Sequence, residues 1–214
     1  MSIDKAIEAI NSFQGDSLTQ SLSGIESSVI GLSLVELQKF CGDRGIDNAF
    51  LASALSIKKV AGQINVIIHA AGILHSLLGI LEAGEVVESV SLGAGNTGRK
   101  FDLETNLRVA EYKFIDWQGG AETIRQNGIF KDFFELAEHV TTKKKYLYVV
   151  GTDFPLKFFR GGRALTSVLS RQPAILARIL AKYGDNVAQV CDYYELKKDE
   201  VKIYDISPHI GRDV

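Results

Sequence analysis

The chain reads as an α/β domain in which one sheet packs against helices, with a helical extension ahead of it. Three observations point there. Residues 101–117, FDLETNLRVAEYKFIDW, form two strand-like segments joined by a tight turn. A long apolar helical stretch precedes them. A helix and a buried-type strand, YLYVV, follow them. Successive strand side chains point to opposite faces. Glu111 and Lys113 therefore project together, while Ala110, Tyr112 and Phe114 face the other way and suit a core. A carboxylate and an ammonium on an apolar strand are costly to bury unless paired or bound to a metal.

The elements follow in order. In residues 3–13, Ile3, Ala6, Ile7 and Ile10 recur at helical spacing. Residues 11–28 are polar, with Gly15, Gly24 and several serines, and read as a loop or a weak helix. Residues 32–41 form a short amphipathic helix stopped by Gly42 and Asp43. Residues 1–46 are thus a helical elaboration. Packing is its leading role, ahead of a substrate-facing cap or a homodimer element. Residues 47–214 form the α/β domain. Asp47 caps a helix starting at Asn48. The pattern stays helical to Glu82 and predicts two helices with a break near Ala61-Gly62. The second is apolar almost all round and should be buried against the sheet. Gln63, Asn65, His69, His75 and Ser76 within it argue against a membrane span. Ala83-Gly84 is its stop signal.

Residues 86–92 read as a strand. The glycine-rich turn at 93–100 lacks the Lys-Ser/Thr of a phosphate loop and leads into a strand, which excludes nucleotide binding there. After the hairpin, Gln118-Gly119-Gly120 is a break. Residues 121–139 are a helix anchored by Ile124, Phe130, Phe133, Phe134 and Leu136. Residues 146–150 are a strand, and residues 158–162 a loop. Residues 164–183 are a helix kinked near Pro173. The tail adds a helix at 186–196 and a strand at 201–204.

Bulk properties set bounds. The 214 residues, 46% hydrophobic with a formal charge of −2, suit one soluble globular unit. Near-neutral charge excludes a polycationic nucleic-acid coat, but leaves room for one basic groove. Cys41 and Cys191 have no zinc or disulfide spacing, and the N-terminus shows no signal peptide, so the expected compartment is the cytoplasm.

An E-x-K triplet alone says little. Glu195-Leu196-Lys197 and Glu200-Val201-Lys202 repeat it near the C-terminus. The first triplet differs in context, because Asp102 lies upstream across the hairpin. Asp102…Glu111-Tyr112-Lys113, in this order of elements, resembles the PD-(D/E)XK nuclease superfamily, the restriction-endonuclease-like fold. The resemblance covers roughly residues 60–182. The proline that names the motif is replaced by Phe101.

The resemblance implies a restriction-endonuclease-like core: a central mixed sheet of four to five strands flanked by helices. It implies a metal-dependent nuclease, hydrolysing phosphodiester bonds in DNA. Asp102, Glu111 and the backbone carbonyl of Tyr112 would ligate Mg²⁺ or Mn²⁺, and Lys113 would orient or deprotonate water and stabilise charge. Hard oxygen ligands of this kind are what magnesium prefers. Many members add an acid from the preceding helix. Here Glu82 is the first choice and Glu85 the second. Gln126 on the following helix is the glutamine several branches use, and Arg125 beside it could reach a phosphate. Glu104 is a weak ligand candidate. His75, two turns before Glu82, reads as a hydrogen-bonded core histidine in preference to a site residue. Lys143-Lys144-Lys145 reads as a solvated turn, while Arg160, Arg163 and Arg171 could form a phosphate rim. Trp117 reads as core in preference to a base-stacking platform. The alternative is a catalytically inactive nucleic-acid-binding or assembly protein that keeps the fold.

Overall fold

The computed structural model describes residues 3–93, 98–114, 117 and 123–211. The expected turn at 94–97, the hairpin end at Ile115-Asp116, the break at 118–120 and the helix start at 121–122 lie outside them. The chain divides into two compact units, Met1–Asn65 and Val66–Val214. That division falls inside a helix, beyond the 46/47 boundary read from the sequence.

The first unit is helical. It holds α1 (Ile3–Gln14), α2 (Leu18–Val29) and α3 (Leu34–Asp43). Residues 18–29 thus form a regular helix where the sequence left a loop or a weak helix open. Ser17 caps it by accepting from the Gln20 backbone N–H at 3.4 Å. A reciprocal Ser33/Glu36 box opens α3, with Ser33 N–H donating to Glu36 Oε2 at 2.8 Å.

Helix α4 (Asn48–Ile80) begins in this unit and, from Val66 on, belongs to the second. Asp47 Oδ1 accepts the Phe50 N–H at 2.8 Å, as expected of a cap. The expected break at Ala61-Gly62 is absent. A lone helical glycine costs only about 1 kcal/mol, and flanking helix formers carry the chain through it.

The second unit holds a five-stranded mixed sheet in sequence order, built from β1 (Val87–Val90), β2 (Leu103–Thr105), β3 (Arg108–Lys113), β4 (Lys144–Val149) and β5 (Val201–Asp205). β1, β2 and β3 form an antiparallel meander; β4 is parallel to β3, and β5 to β4. Parallel neighbours need a crossover. Helix α5 (Thr123–Ala137) supplies the first. The second contains α6 (Asp153–Phe159), α7 (Leu165–Val168), α8 (Pro173–Tyr183) and α9 (Val190–Lys197). Residues 153–157, given no element by the sequence reading, and residues 158–159, placed by it in a loop, are therefore helical. The expected kinked helix at 164–183 is two helices, because Pro173 starts α8 at its first position, where its missing N–H costs nothing.

Each sheet face has its own core. Val109, Leu147 and Val149 pack with Phe130, Phe133 and Phe134 of α5 and with the later helices. Leu103, Ala110, Tyr112 and Tyr148 pack with Ile73 and Ile80 of α4. The alternation read from β3 is therefore observed. Gly72 lets α4 approach closely: a Cβ there would lie 2.5 Å from the Phe114 ring.

Within the second unit, only one side of α4 is covered. Ile73, Ser76 and Ile80 are buried, at helical spacing. Ile67 and Leu74 are about half exposed, and Leu78 is 84% exposed. The sequence reading of a wholly buried helix is corrected: 17% of its most apolar window is buried. By length and composition this is the one helix among the described residues that could cross a membrane.

Candidate active site

Asp102 stands just ahead of β2, one step short of the strand the sequence assigned it to. The ladder pairs Leu103 with Ala110 and Glu104 with Val109. One step further, that register sets Asp102 opposite Glu111. There the Asp102 side chain serves as the acceptor for β3: its Oδ2 takes the Tyr112 N–H at 3.0 Å. Its backbone carbonyl takes the Ser91 N–H at 2.8 Å. Asp102 Oδ1 lies 3.3 Å from Nε2 of His69 on α4. The Glu111 carboxyl hydrogen-bonds the Asp102 carboxylate. On the same β3 face, the Lys113 ammonium forms an ion pair with Asp132 of α5. Asp102, Glu111 and Lys113 thus converge as strand periodicity requires.

The electrostatics follow from three carboxyls and one ammonium in a half-closed place. Burial pushes the Glu111 carboxyl up to about 9, and the charges of Asp132 and Asp102 push the same way against Lys113. Near neutrality Glu111 is therefore protonated and donates to Asp102. Burial also works against ionised Asp102, but its hydrogen bonds with His69 and the Tyr112 N–H outweigh it and hold the carboxyl below its usual value. Burial opposes the Lys113 charge as well; the Asp132 carboxylate more than compensates and raises its pKa. Lys113 is held as an ammonium. The site remains reachable, with the Lys113 side chain 32% exposed and that of Asp102 17%.

The helix acids do not join this group. Glu82 and Glu85 cluster at the opposite end of β3 around Arg108, about 16 Å from Lys113 at ~3.3 Å per residue. The Arg108 guanidinium is buried and gives Nε and Nη2 to Glu85 at 2.5 Å each, Nη1 to Tyr148 at 2.8 Å and Nη2 to Glu82 at 3.2 Å. Glu82 also meets Lys144 at 2.9 Å. The reason is directional. α4 ends beside the start of β3, so a residue near its C-terminus reaches Arg108, while the residue abreast of the site lies about 20 Å back along the helix at ~1.5 Å per residue. That residue is His69. α4 itself carries no Asp or Glu.

The other candidates separate in the same way. Gln126 is buried, but its Oε1 accepts from Arg163. That bond ties Gln126 to the Arg163 loop, and its known partner is not one of the converging side chains. Glu104 accepts from Lys143 at 2.8 Å, and Lys143 also meets Glu88. The lysine triplet is not a solvated turn: Lys144 opens β4, and buried Lys145 donates to the Ala137 carbonyl at 2.9 Å. His75 is exposed, not a core histidine. Of the C-terminal triplets, Glu195 pairs with Lys198, and Glu200 pairs with Lys197.

Sequence reasoning missed Asp132 and passed over His69. Both had a signal. Asp132 interrupts an apolar helix face, spaced as a neighbour of Ile129 and Leu136. His69 falls on the stripe that continues through Ile73, Ser76 and Ile80.

Asp102 and Glu111 offer a cation two adjacent carboxyls whose mutual repulsion is relieved at present by a shared proton. Two hard oxygen donors with excess negative charge fit Mg²⁺ or Mn²⁺, which are commonly held by one or two carboxylates. Among the described residues no group of three or more His, Cys, Asp or Glu side chains is arranged to hold a metal unaided. Comparison with known proteins gives no match to a family model, a curated protein or a solved structure. The class the coordinates define is an α/β domain with a five-stranded mixed sheet and an acidic, lysine-bearing site at the end of β3.

Proposed function

We propose that the chain is a metal-dependent nuclease of restriction-endonuclease-like build, hydrolysing phosphodiester bonds, most readily in DNA. The observation that carries this is the convergence of Asp102, Glu111 and Lys113 at one end of β3. The element order supports it: α4, a three-strand meander, α5, and a parallel strand. Asp102 and Glu111 would hold Mg²⁺ or Mn²⁺, with the backbone carbonyl of Tyr112 as a further donor. When bound, such a cation activates water and offsets charge on the phosphate.

This chain's own residues would do the rest. Lys113, kept cationic by Asp132, would face the developing charge on the phosphate. It suits charge stabilisation better than proton abstraction. His69 would fix the orientation of Asp102 from the α4 side, where the resemblance asks for an acid.

The test is cleavage of single-stranded and duplex DNA and of RNA in Mg²⁺ or Mn²⁺. Wild type should cut, Lys113→Ala should lose activity at least a hundredfold, and Lys202→Ala, in the C-terminal triplet, should cut like wild type. A parent that never cuts leaves the inactive binding protein as the reading. Activity retained in Lys113→Ala and lost in Lys202→Ala would show that the wrong triplet was chosen.

A further inference from the structure

Beside Lys113, between the ends of β3 and β4 and the first turns of α5, lies a slot of about 150 Å³. Its walls are mostly apolar, with Ile124 and Ile129 from α5, Val149 from β4 and Pro155 from α6, and Arg125 of α5 also lines it. The Trp117 indole forms another wall. It is nine-tenths buried, yet its Nε1–H has no acceptor among the described residues. Lys113 belongs to both places, since its side chain lines the slot while its ammonium pairs with Asp132.

We propose that this slot receives one unpaired nucleobase of the strand held at Asp102 and Glu111, so that the substrate class is nucleic acid with an unpaired base next to the cut. This rests on the nuclease reading for the position of the cut.

Size selects the occupant. An apolar cavity of ~150 Å³ holds a single aromatic ring such as benzene. Whole cofactors and nucleotides use pockets of ~300–1,000 Å³. A flat ring against the exposed part of Trp117 gains stacking. Lys113 at the wall then places the phosphate of the same or the adjacent nucleotide at the carboxylates.

Pairing decides the selectivity. A stacked, paired base must be extruded to enter, and the cost is least when it is mismatched or already single-stranded. Stacking one base on an aromatic side chain strengthens binding by roughly 5- to 150-fold. Extruding a paired base consumes a gain of that size, whereas an unpaired base keeps it.

Trp117 is the only tryptophan in the chain, so its emission reports the slot directly. Two DNA duplexes of one sequence, one fully paired and one with a single mismatch, are titrated into the full chain without metal. They are then cut in Mg²⁺. The mismatched duplex should change Trp117 emission and be bound and cut roughly 5- to 150-fold better. Gly128→Leu projects a side chain from α5 into the slot, where a Cβ at Gly128 meets nothing within 4 Å. It should bring that ratio to about one, with folding checked by its melt. Equal binding of both duplexes by wild type with unchanged emission overturns the proposal, as does a preference that survives in folded Gly128→Leu. Should Gly128→Leu not fold, the wild-type emission decides alone. Cutting without mismatch preference removes the slot and leaves the nuclease. An emission change without cutting keeps the slot and removes the nuclease.

Discussion

Replacing Glu111 by glutamine should make the metal-free protein more stable at neutral pH, although it removes a residue of the candidate site. In the unfolded chain this carboxyl ionises near 4.5; in the folded protein burial and the nearby carboxylates hold it protonated up to about 9. Between those values folding takes up a proton. A group whose folded pKa is raised contributes stability below its unfolded pKa and loses it as pH rises towards the folded value. The loss is about 1.4 kcal/mol per pH unit. At pH 7 it reaches roughly 3 kcal/mol, from ~1.4 kcal/mol over the 2.5 units above 4.5. Glutamine stays neutral throughout and keeps an N–H for Asp102.

The variant's advantage should therefore be near zero at pH 4.5, roughly 3 kcal/mol at pH 7, and level above pH 9. For a chain of this size that is about 6–12 °C in Tm at pH 7. Asp102, held low, titrates below this window, and Lys113, held high, above it; Asp132, raised by burial against the pull of Lys113, is present in both proteins. His139 has its pKa lowered by burial, but it is common to both proteins and cancels in the difference. Urea melts in chelator at several pH values measure the difference. Parallel curves for the two proteins would refute the reasoning.

Other outcomes follow from the same geometry. Mg²⁺ must displace the Glu111 proton, so the Tm rise at millimolar Mg²⁺ should be larger at pH 8 than at pH 6 and absent in Glu111→Gln. Glu82→Ala should leave cleavage unchanged in rate assays, because Glu82 sits at the Arg108 end of β3. Arg108→Ala should lose about 3–5 kcal/mol in denaturant melts, since it leaves Glu85 buried without its cation. Gly72→Ala should cost about 1–3 kcal/mol, since its methyl would meet the Phe114 ring at 2.5 Å.

Much of this was legible because period-2 alternation is a hard constraint. Ala110, Tyr112 and Phe114 had to face a core if Glu111 and Lys113 did not, and the hairpin turn then set Asp102 opposite Glu111. Partners across the fold were not legible. Glu82 looked like a site acid because an acid after an apolar helix is costly unpaired, and it does have partners. They are Arg108 and Lys144, which strand direction alone decides. The short helices at 153–159 and 165–168 left no periodic signal, being one or two turns long. The exposed outer side of α4 escaped the reading because composition reports how apolar a helix is and not how many neighbours it has.

β3 is gripped at both ends by ion pairs, Arg108 with Glu85 and the part-exposed Lys113 with buried Asp132. Sliding the strand by one residue would turn each of these cations to the wrong face of the sheet and leave two carboxylates stranded in the interior. Each sheet face packs a core of its own, so a slip would trade one core for the other instead of exposing it to solvent. Stranding a buried charge costs about 3–5 kcal/mol, so two such errors outweigh most alternative pairings. The ion pairs thus act as an alignment key: whatever chemistry Glu111 performs, its aim is set during folding by residues at the two ends of its strand.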